Sequence, residues 1–330
     1  MRFLSKLLLC AIAAIISIGC TDSGKQESAT SNADSSASSL VPNCNSIYHW
    51  KTTFNLTPTE IEFLKEHNIG RIYVKMFDVA PELDLMGGAE EINPIATTKF
   101  LSPIPEGVEI VPVVFITIDA LRAMKGQEGE YASLIVERAL AMCRHNNCGT
   151  TLELQLDCDW TSTTKASYNI LCKAAKDILT EYKIALSTTI RLHQLRESAP
   201  PADRGVLMLY NTGALKDPQT KNSILDINDA RPYIKELKYP IPLNYAYPAF
   251  GWGIKFRDNE FAGIVTNEDT PLKKGEYIRR ERVAVEEILK VKALIEKNLG
   301  KAANHNILYH LDETQLKNYT KDEIAQIFTN

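Results

Sequence analysis

The sequence predicts a single (β/α)8 TIM barrel, and three observations predict it. Eight apolar or alternating strand-like runs follow one another along the chain. Helical periodicity separates most of them. One run, Thr151 to Trp160, reads T-L-E-L-Q-L-D-C-D-W and alternates throughout. Successive side chains of a strand point to opposite faces, so Leu152, Leu154, Leu156 and Cys158 share one face and Glu153, Gln155, Asp157 and Asp159 the other. Strands alternating with helices build one parallel sheet. Closing that sheet turns the acidic row inward and sets Asp157 and Asp159 at its C-terminal mouth, where barrel enzymes keep their chemistry.

Taken in order, the chain opens with a segment that does not belong to the fold. Arg2 and Lys6 precede an apolar run from Leu7 to Ile18, about a dozen residues and too short to span a bilayer. Ser17-Ile18-Gly19 then forms a small-residue cleavage site before Cys20. This ending resembles a bacterial lipobox, with Ser17 in place of the usual leucine, which implies residues 1–20 as a lipoprotein signal peptide and Cys20 as the lipidated mature N-terminus. Plain secretory cleavage near Gly19 is the alternative. Thr21, rather than an aspartate, follows Cys20 and points to outer-membrane over inner-membrane sorting, facing periplasm or cell surface. Residues 21–43 are rich in Ser, Ala, Asp and Gly and cannot bury enough surface to order themselves. They read as a flexible tether reaching roughly 25 Å.

From Cys44 onward no second linker interrupts the chain, so residues 44–330 form one barrel domain. The expected strands are Asn45 to Trp50 (β1), Arg71 to Phe77 (β2), Val108 to Thr117 (β3), Thr151 to Asp159 (β4), Ile184 to His193 (β5), Gly205 to Asn211 (β6), Ile241 to Tyr247 (β7) and Asn306 to Leu311 (β8). Thr57-Pro58-Thr59-Glu60 is a capping box with proline at the first helical position, opening a helix that ends at Gly70. Further helices are expected at 130–146, 164–182, 229–237 and 275–299. A last one opens with the capping box Thr320-Lys321-Asp322-Glu323. The barrel should be irregular after β2, where residues 78–107 hold many prolines and glycines, and after β5.

The charge balance, 37 basic against 41 acidic residues, contains no basic block and excludes nucleic acid as a partner class. Five cysteines follow Cys20. Cys143 with Cys148 is the plausible local disulfide, and Cys158 with Cys172 either pair or simply pack. Their spacing matches no zinc site, and no metal or other cofactor is expected. His49 and His193 could ligate a metal, but a lone barrel histidine is more often a hydrogen-bonded core residue.

On β5, Ser187, Thr189, Arg191 and His193 share a face and bring a cation and an imidazole to the β4 carboxylates. Lys75 on β2 is a further inward candidate, between Tyr73 and Phe77, whereas Asp78 falls on the opposite face. An adjacent cation lowers a carboxyl pKa and a second carboxylate raises it, so such a cluster can hold one acid and one base. A satisfied buried network is the other reading, and for Glu153, Gln155 and Lys75 it is the favoured one. Trp50, Trp160 and Trp252 all fall at or after strand ends, and Tyr245, Tyr247 and Phe250 join the last. Aromatic faces beside carboxylates and amides suit a carbohydrate. Plugging the barrel top is the competing role for Trp50 and Phe250.

Two local strings carry a family resemblance. Asp157-Cys158-Asp159-Trp160 resembles the fourth-strand D-x-D-W segment of family 18 glycoside hydrolases, the chitinase-like barrels. Met208-Leu209-Tyr210-Asn211 resembles their sixth-strand M-x-Y-D. The family's catalytic glutamate is replaced by Thr161 and its aspartate by Asn211, as in sugar-binding, non-catalytic members. A longer resemblance, through Y-H-W-K-T-T-F from Tyr48, R-I-Y-V-K-M-F-D-V from Arg71, L-Q-L-D-C-D-W-T from Leu154 and Y-P-A-F-G-W-G from Tyr247, links the chain to an uncharacterised group of bacterial barrel lipoproteins. It implies a fold and a location without a reaction.

The expected function is a cell-envelope lipoprotein acting on a glycan, with Asp157 and Asp159 catalytic. Trp160, Arg191, His193, Tyr210, Asn211, Tyr245, Tyr247 and Trp252 would bind substrate. Asp119, Asp312 and Glu313 are alternative partner carboxylates. A catalytically silent glycan-binding or envelope-assembly component is the alternative, and a scaffold for an envelope protein partner the third.

Overall fold

A computed structural model describes residues 44–82, 91–265 and 270–329; the signal-like segment and the tether lie outside the described residues. Eight parallel strands close on themselves: β1 (Asn45–His49), β2 (Ile69–Glu82), β3 (Glu109–Ile116), β4 (Glu153–Asp157), β5 (Ala185–Arg191), β6 (Arg204–Met208), β7 (Leu243–Pro248) and β8 (Asn306–Tyr309). Closure comes from β1, which pairs with β8 through Ser46 and Ile307 on one side and with β2 through Tyr48 and Tyr73 on the other. All eight expected strands are present.

Helices pack against the outside of this sheet. They are α1 (Pro58–Glu66), α2 (Ile118–Ala123), α3 (Glu128–His145), α4 (Lys165–Glu181), α5 (Ile227–Ala230), α6 (Val285–Leu299), α7 (Glu313–Leu316) and α8 (Lys321–Phe328). Both expected capping boxes form, Thr57 with Glu60 and Thr320 with Glu323. The end of α1 differs from expectation. Asn68 takes the left-handed turn at φ 50°, and Gly70 lies inside β2. A Cβ at Gly70 would meet the Cys44 side chain at 2.7 Å, so the glycine serves close packing rather than a helix cap.

The barrel is irregular after β2, after β5 and also after β6. Beyond the barrel rim, β2 runs on and pairs antiparallel with Glu91–Ile95. A short 3-10 turn, Leu192–Arg196, follows β5 in place of a helix. The helix expected at 229–237 is the single turn of α5.

The helix expected at 275–299 begins only at Val285. Its first part, Glu276–Arg282, is a strand that pairs antiparallel with Gly251–Arg257, which also pairs with Glu260–Val265. This three-stranded flap interrupts the chain between β7 and α6. The five cysteines from Cys44 onward are free thiols, and those of Cys143 and Cys148 are hydrogen-bonded neighbours at the end of α3.

Candidate functional site at the barrel mouth

The lumen is lined by the polar face of β4 as the alternation demands. At the bottom, Glu153 pairs with Arg71 and with Arg204, both at 3.2 Å, and Arg71 also holds Glu109 at 2.8 Å. One level up, the Tyr48 hydroxyl donates to Gln155 Oε1 at 2.6 Å and Gln155 Nε2 donates to Ser187 Oγ at 3.3 Å. Apart from Glu109 Oε1, which is buried without a partner, these groups pair with one another in a buried network.

Asp157 comes next, 2% exposed. Its Oδ1 accepts from the Thr189 hydroxyl at 2.5 Å and from Arg191 Nη2 at 3.2 Å. Arg191 Nε also donates to Asp159 Oδ1, so one guanidinium stands between the two carboxylates. Burial raises the Asp157 carboxyl above its ordinary pKa, opposed by Arg191 and the Thr189 hydrogen bond and assisted by Asp159 and Asp78.

Asp78 belongs to this site, contrary to the face the alternation assigns it. A bulge in β2 between Lys75 and Phe77 inserts one extra residue, Met76. Such a bulge reverses the parity of everything beyond it. Asp78 therefore joins Lys75 on the lumen side, and the two pair at 2.9 Å. Phe77 turns outward under the guanidinium of Arg138 on α3.

An aromatic cluster covers these charges. Trp50 lies 5.8 Å from Tyr309, Tyr309 stacks on Tyr210 at 4.7 Å, and Phe250 sits 5.6 Å from Tyr309 and 5.3 Å from Trp252, centroid to centroid. Lys75 Nζ stands 5.8 Å above the Trp50 ring. Trp50, Tyr309 and Trp252 are half-buried. Two donors beneath them, Arg191 Nη1 and the Tyr210 hydroxyl, are buried without a hydrogen-bond partner.

Other expected site residues lie elsewhere. Trp160 is 1% exposed and sits outside the strands, stacked on Tyr168 of α4 at 6.4 Å with Lys165 over its ring. Tyr245 and Tyr247 face the helical layer, because Asn244 takes the lumen side of β7 beside His305. The Tyr245 hydroxyl donates to the Gly300 carbonyl at 2.8 Å, and Tyr247 lies near Glu296 of α6. His193 is exposed in the 3-10 turn because β5 ends at Arg191, and Asn211 is exposed at φ 57°.

The alternative carboxylates do not reach the lumen groups. Asp119 pairs with Arg122 at the surface, Asp312 caps α7 and pairs with Lys51, and Glu313 accepts from Thr57. His49 packs against Phe54, on the side of β1 opposite Tyr48. Among the described residues no group of three or more His, Cys, Asp or Glu could hold a metal ion. Tyr309 was not singled out by the sequence reading, although its place at the end of β8 was a usable signal.

Comparison with solved structures places this geometry. The spore cortex-lytic enzyme SleL of Bacillus cereus matches 87% of this chain and 74% of its own at a TM-score of 0.51 and 13% identity. A class V chitinase mutant from Nicotiana tobaccum in complex with NAG4 matches 86% of this chain and 98% of its own, at 0.51 and 11%. The fold that these structures share with this chain is the (β/α)8 barrel. A chitinase from Chromobacterium violaceum gives 82% and 98% coverage at 0.50 and 11% identity. No protein-family model and no curated protein sequence matches the chain. Thr161 is tied into the turn before α4, its hydroxyl 2.9 Å from that of Thr163 and its N–H donating to Thr164 Oγ1 at 2.9 Å.

Proposed function

We propose that this chain is a lipid-anchored envelope protein whose barrel mouth binds a glycan without cleaving it. The observation that carries the reading is Arg191. A glycosidase needs two carboxyl groups with the sugar, or a sugar and a water, between them, about 5 Å apart for retention and roughly 6.5 to 9.5 Å for inversion. Between Asp157 and Asp159 that space is filled by the guanidinium that pairs with both. Asp157 is moreover sealed from solvent. Thr161 offers no carboxyl in compensation.

What remains suits binding. Trp50, Tyr309 and Trp252 offer half-buried aromatic rings to the apolar faces of sugar rings. Arg191, whose side chain keeps 19% of its surface in solvent, offers a cation to a sugar oxygen. The likeness to barrels that include a NAG4 complex supports N-acetylglucosamine oligosaccharides as first probes. The signal-like segment ending at Cys20 supports anchoring in the envelope, with the outer membrane preferred.

One observation favours hydrolysis instead: burial moves the Asp157 carboxyl in the direction a general acid requires. Titration of the mature protein with N-acetylglucosamine oligomers, with products followed by mass spectrometry, separates the two. Saturable binding with intact oligomers is expected, and binding should weaken in Tyr309→Ala. Absence of binding overturns the glycan reading. Shortened oligomers restore the hydrolase.

A further inference from the structure

Trp252 stands at the far end of the aromatic row, on the first flap strand, and its ring is held from behind. In the antiparallel register Trp252 lies directly opposite Glu281. Its indole Nε1 donates to Glu281 Oε2 at 2.9 Å. The same oxygen accepts from the Ser223 N–H at 2.9 Å and from the Ser223 hydroxyl at 2.5 Å. Arg279 Nε donates to the other oxygen at 2.7 Å. A buried carboxylate is tolerated when donors and a cation surround it, and four donors converge on this one.

The clamp reaches beyond one side chain. Arg279 donates onward to the carbonyls of Asp217 and Leu215, and Asn222 donates to the carbonyl of Arg282. The loop that follows β6 is thereby tied to the flap that follows β7, with Glu281 at the crossing. The strand approaches closely enough that a Cβ at Gly251 would meet the Glu281 carbonyl at 2.7 Å. At Gly253 a Cβ would meet Ile278 and Val265 side chains at the same distance. Trp252 thus sits between two glycines in a strand that admits no neighbouring side chain.

We propose that Glu281 is a positioning residue: it fixes the Trp252 ring as the outermost of the mouth's aromatic faces and so sets how long a glycan the mouth engages. This rests on the glycan-binding reading above. A short oligomer would contact Trp50 and Tyr309 alone, whereas a long one would also reach Trp252, so loss of the clamp should be felt only by the longer ligand.

The test uses the mature protein labelled with 15N, reading the three indole N–H resonances, with that of Trp252 assigned by its absence in Trp252→Phe. In Glu281→Leu the Trp252 indole signal should shift and broaden while those of Trp50 and Trp160 stay in place. Glu281→Gln, which keeps one acceptor oxygen, should restore most of it. Affinity for an N-acetylglucosamine hexamer should fall about three- to tenfold in Glu281→Leu, with affinity for the dimer unchanged. An unmoved Trp252 signal, or an equal loss for dimer and hexamer, overturns the proposal. Should the wild-type protein bind neither oligomer, the glycan reading fails and the length assignment with it, while the indole signal alone decides whether Glu281 sets the ring.

Discussion

The two ends of the lumen hold the same chemistry in different states. At the bottom Arg71 and Arg204 surround Glu153, with Glu109 and the Tyr73 hydroxyl completing the network. At the mouth Arg191 stands between Asp157 and Asp159. At the bottom Glu153 is 1% exposed, although Glu109 Oε1 has no partner. The mouth is half open: the Asp159 side chain keeps 49% of its surface in solvent, and two donors beside it lack partners. An arginine with two carboxylates therefore does not by itself mark a site. A half-exposed carboxylate beside half-buried aromatic rings does.

The sharpest way to break this comparison is to remove one carboxylate from the bottom. Glu153→Ala leaves Arg71 and Arg204 without their shared partner and should cost about 3–5 kcal/mol of unfolding free energy in denaturant titration. A loss near zero would mean the bottom network is not the structural element it is taken for.

Next in size is Trp50→Ala. Removing that ring should weaken oligosaccharide binding about tenfold or more by calorimetry, with a smaller drop in melting temperature than Glu153→Ala gives. The reverse order, large destabilisation with unchanged binding, would make Trp50 a plug.

Asp157 tests the electrostatics of the mouth. Burial is the largest cause acting on this carboxyl and raises its folded-state pKa above the ordinary 3.8. The native state thus holds the proton more tightly than the unfolded chain. Its contribution to stability falls as pH rises from the unfolded value through the native one, and is recovered as pH is lowered across the same window. Asp157→Asn should remove that pH dependence and lose little stability at neutral pH. A variant that loses stability mainly above the native pKa would show Arg191 outweighing burial.

The smallest expected effect is that of Asp159→Asn on stability, under about 1 kcal/mol, because the Asp159 side chain is half in solvent. A change as large as that of Glu153→Ala would erase the difference between the two ends.

Much of this was legible in the sequence for a physical reason. Strict alternation in β4 and β5 follows from one polar and one apolar environment, and it alone assigns Asp157, Thr189 and Arg191 to the lumen-facing side of their strands. The features that were not legible depend on partners distant in sequence. The bulge at Met76 is set by pairing of β2 with β3, and it moved Asp78 inward and Phe77 outward. In β7, L-N-Y-A-Y-P is buried on both faces, so its pattern cannot say that Tyr245 and Tyr247 face helices. Glu276–Arg282 carries charges that suit a helix, yet it is held as a strand by Gly251–Arg257. Trp160 follows a strand end in sequence but turns outward onto Tyr168, which only the packing of α4 decides.

The central claim, that the mouth binds glycan and does not hydrolyse it, is tested most directly by prolonged incubation of wild-type, Asp157→Asn and Asp159→Asn proteins with N-acetylglucosamine oligomers, reading newly formed reducing ends. The account predicts no release above the protein-free control for any of the three. Release by the wild type that disappears in Asp157→Asn or Asp159→Asn would contradict it and return the β4 carboxylates to catalysis.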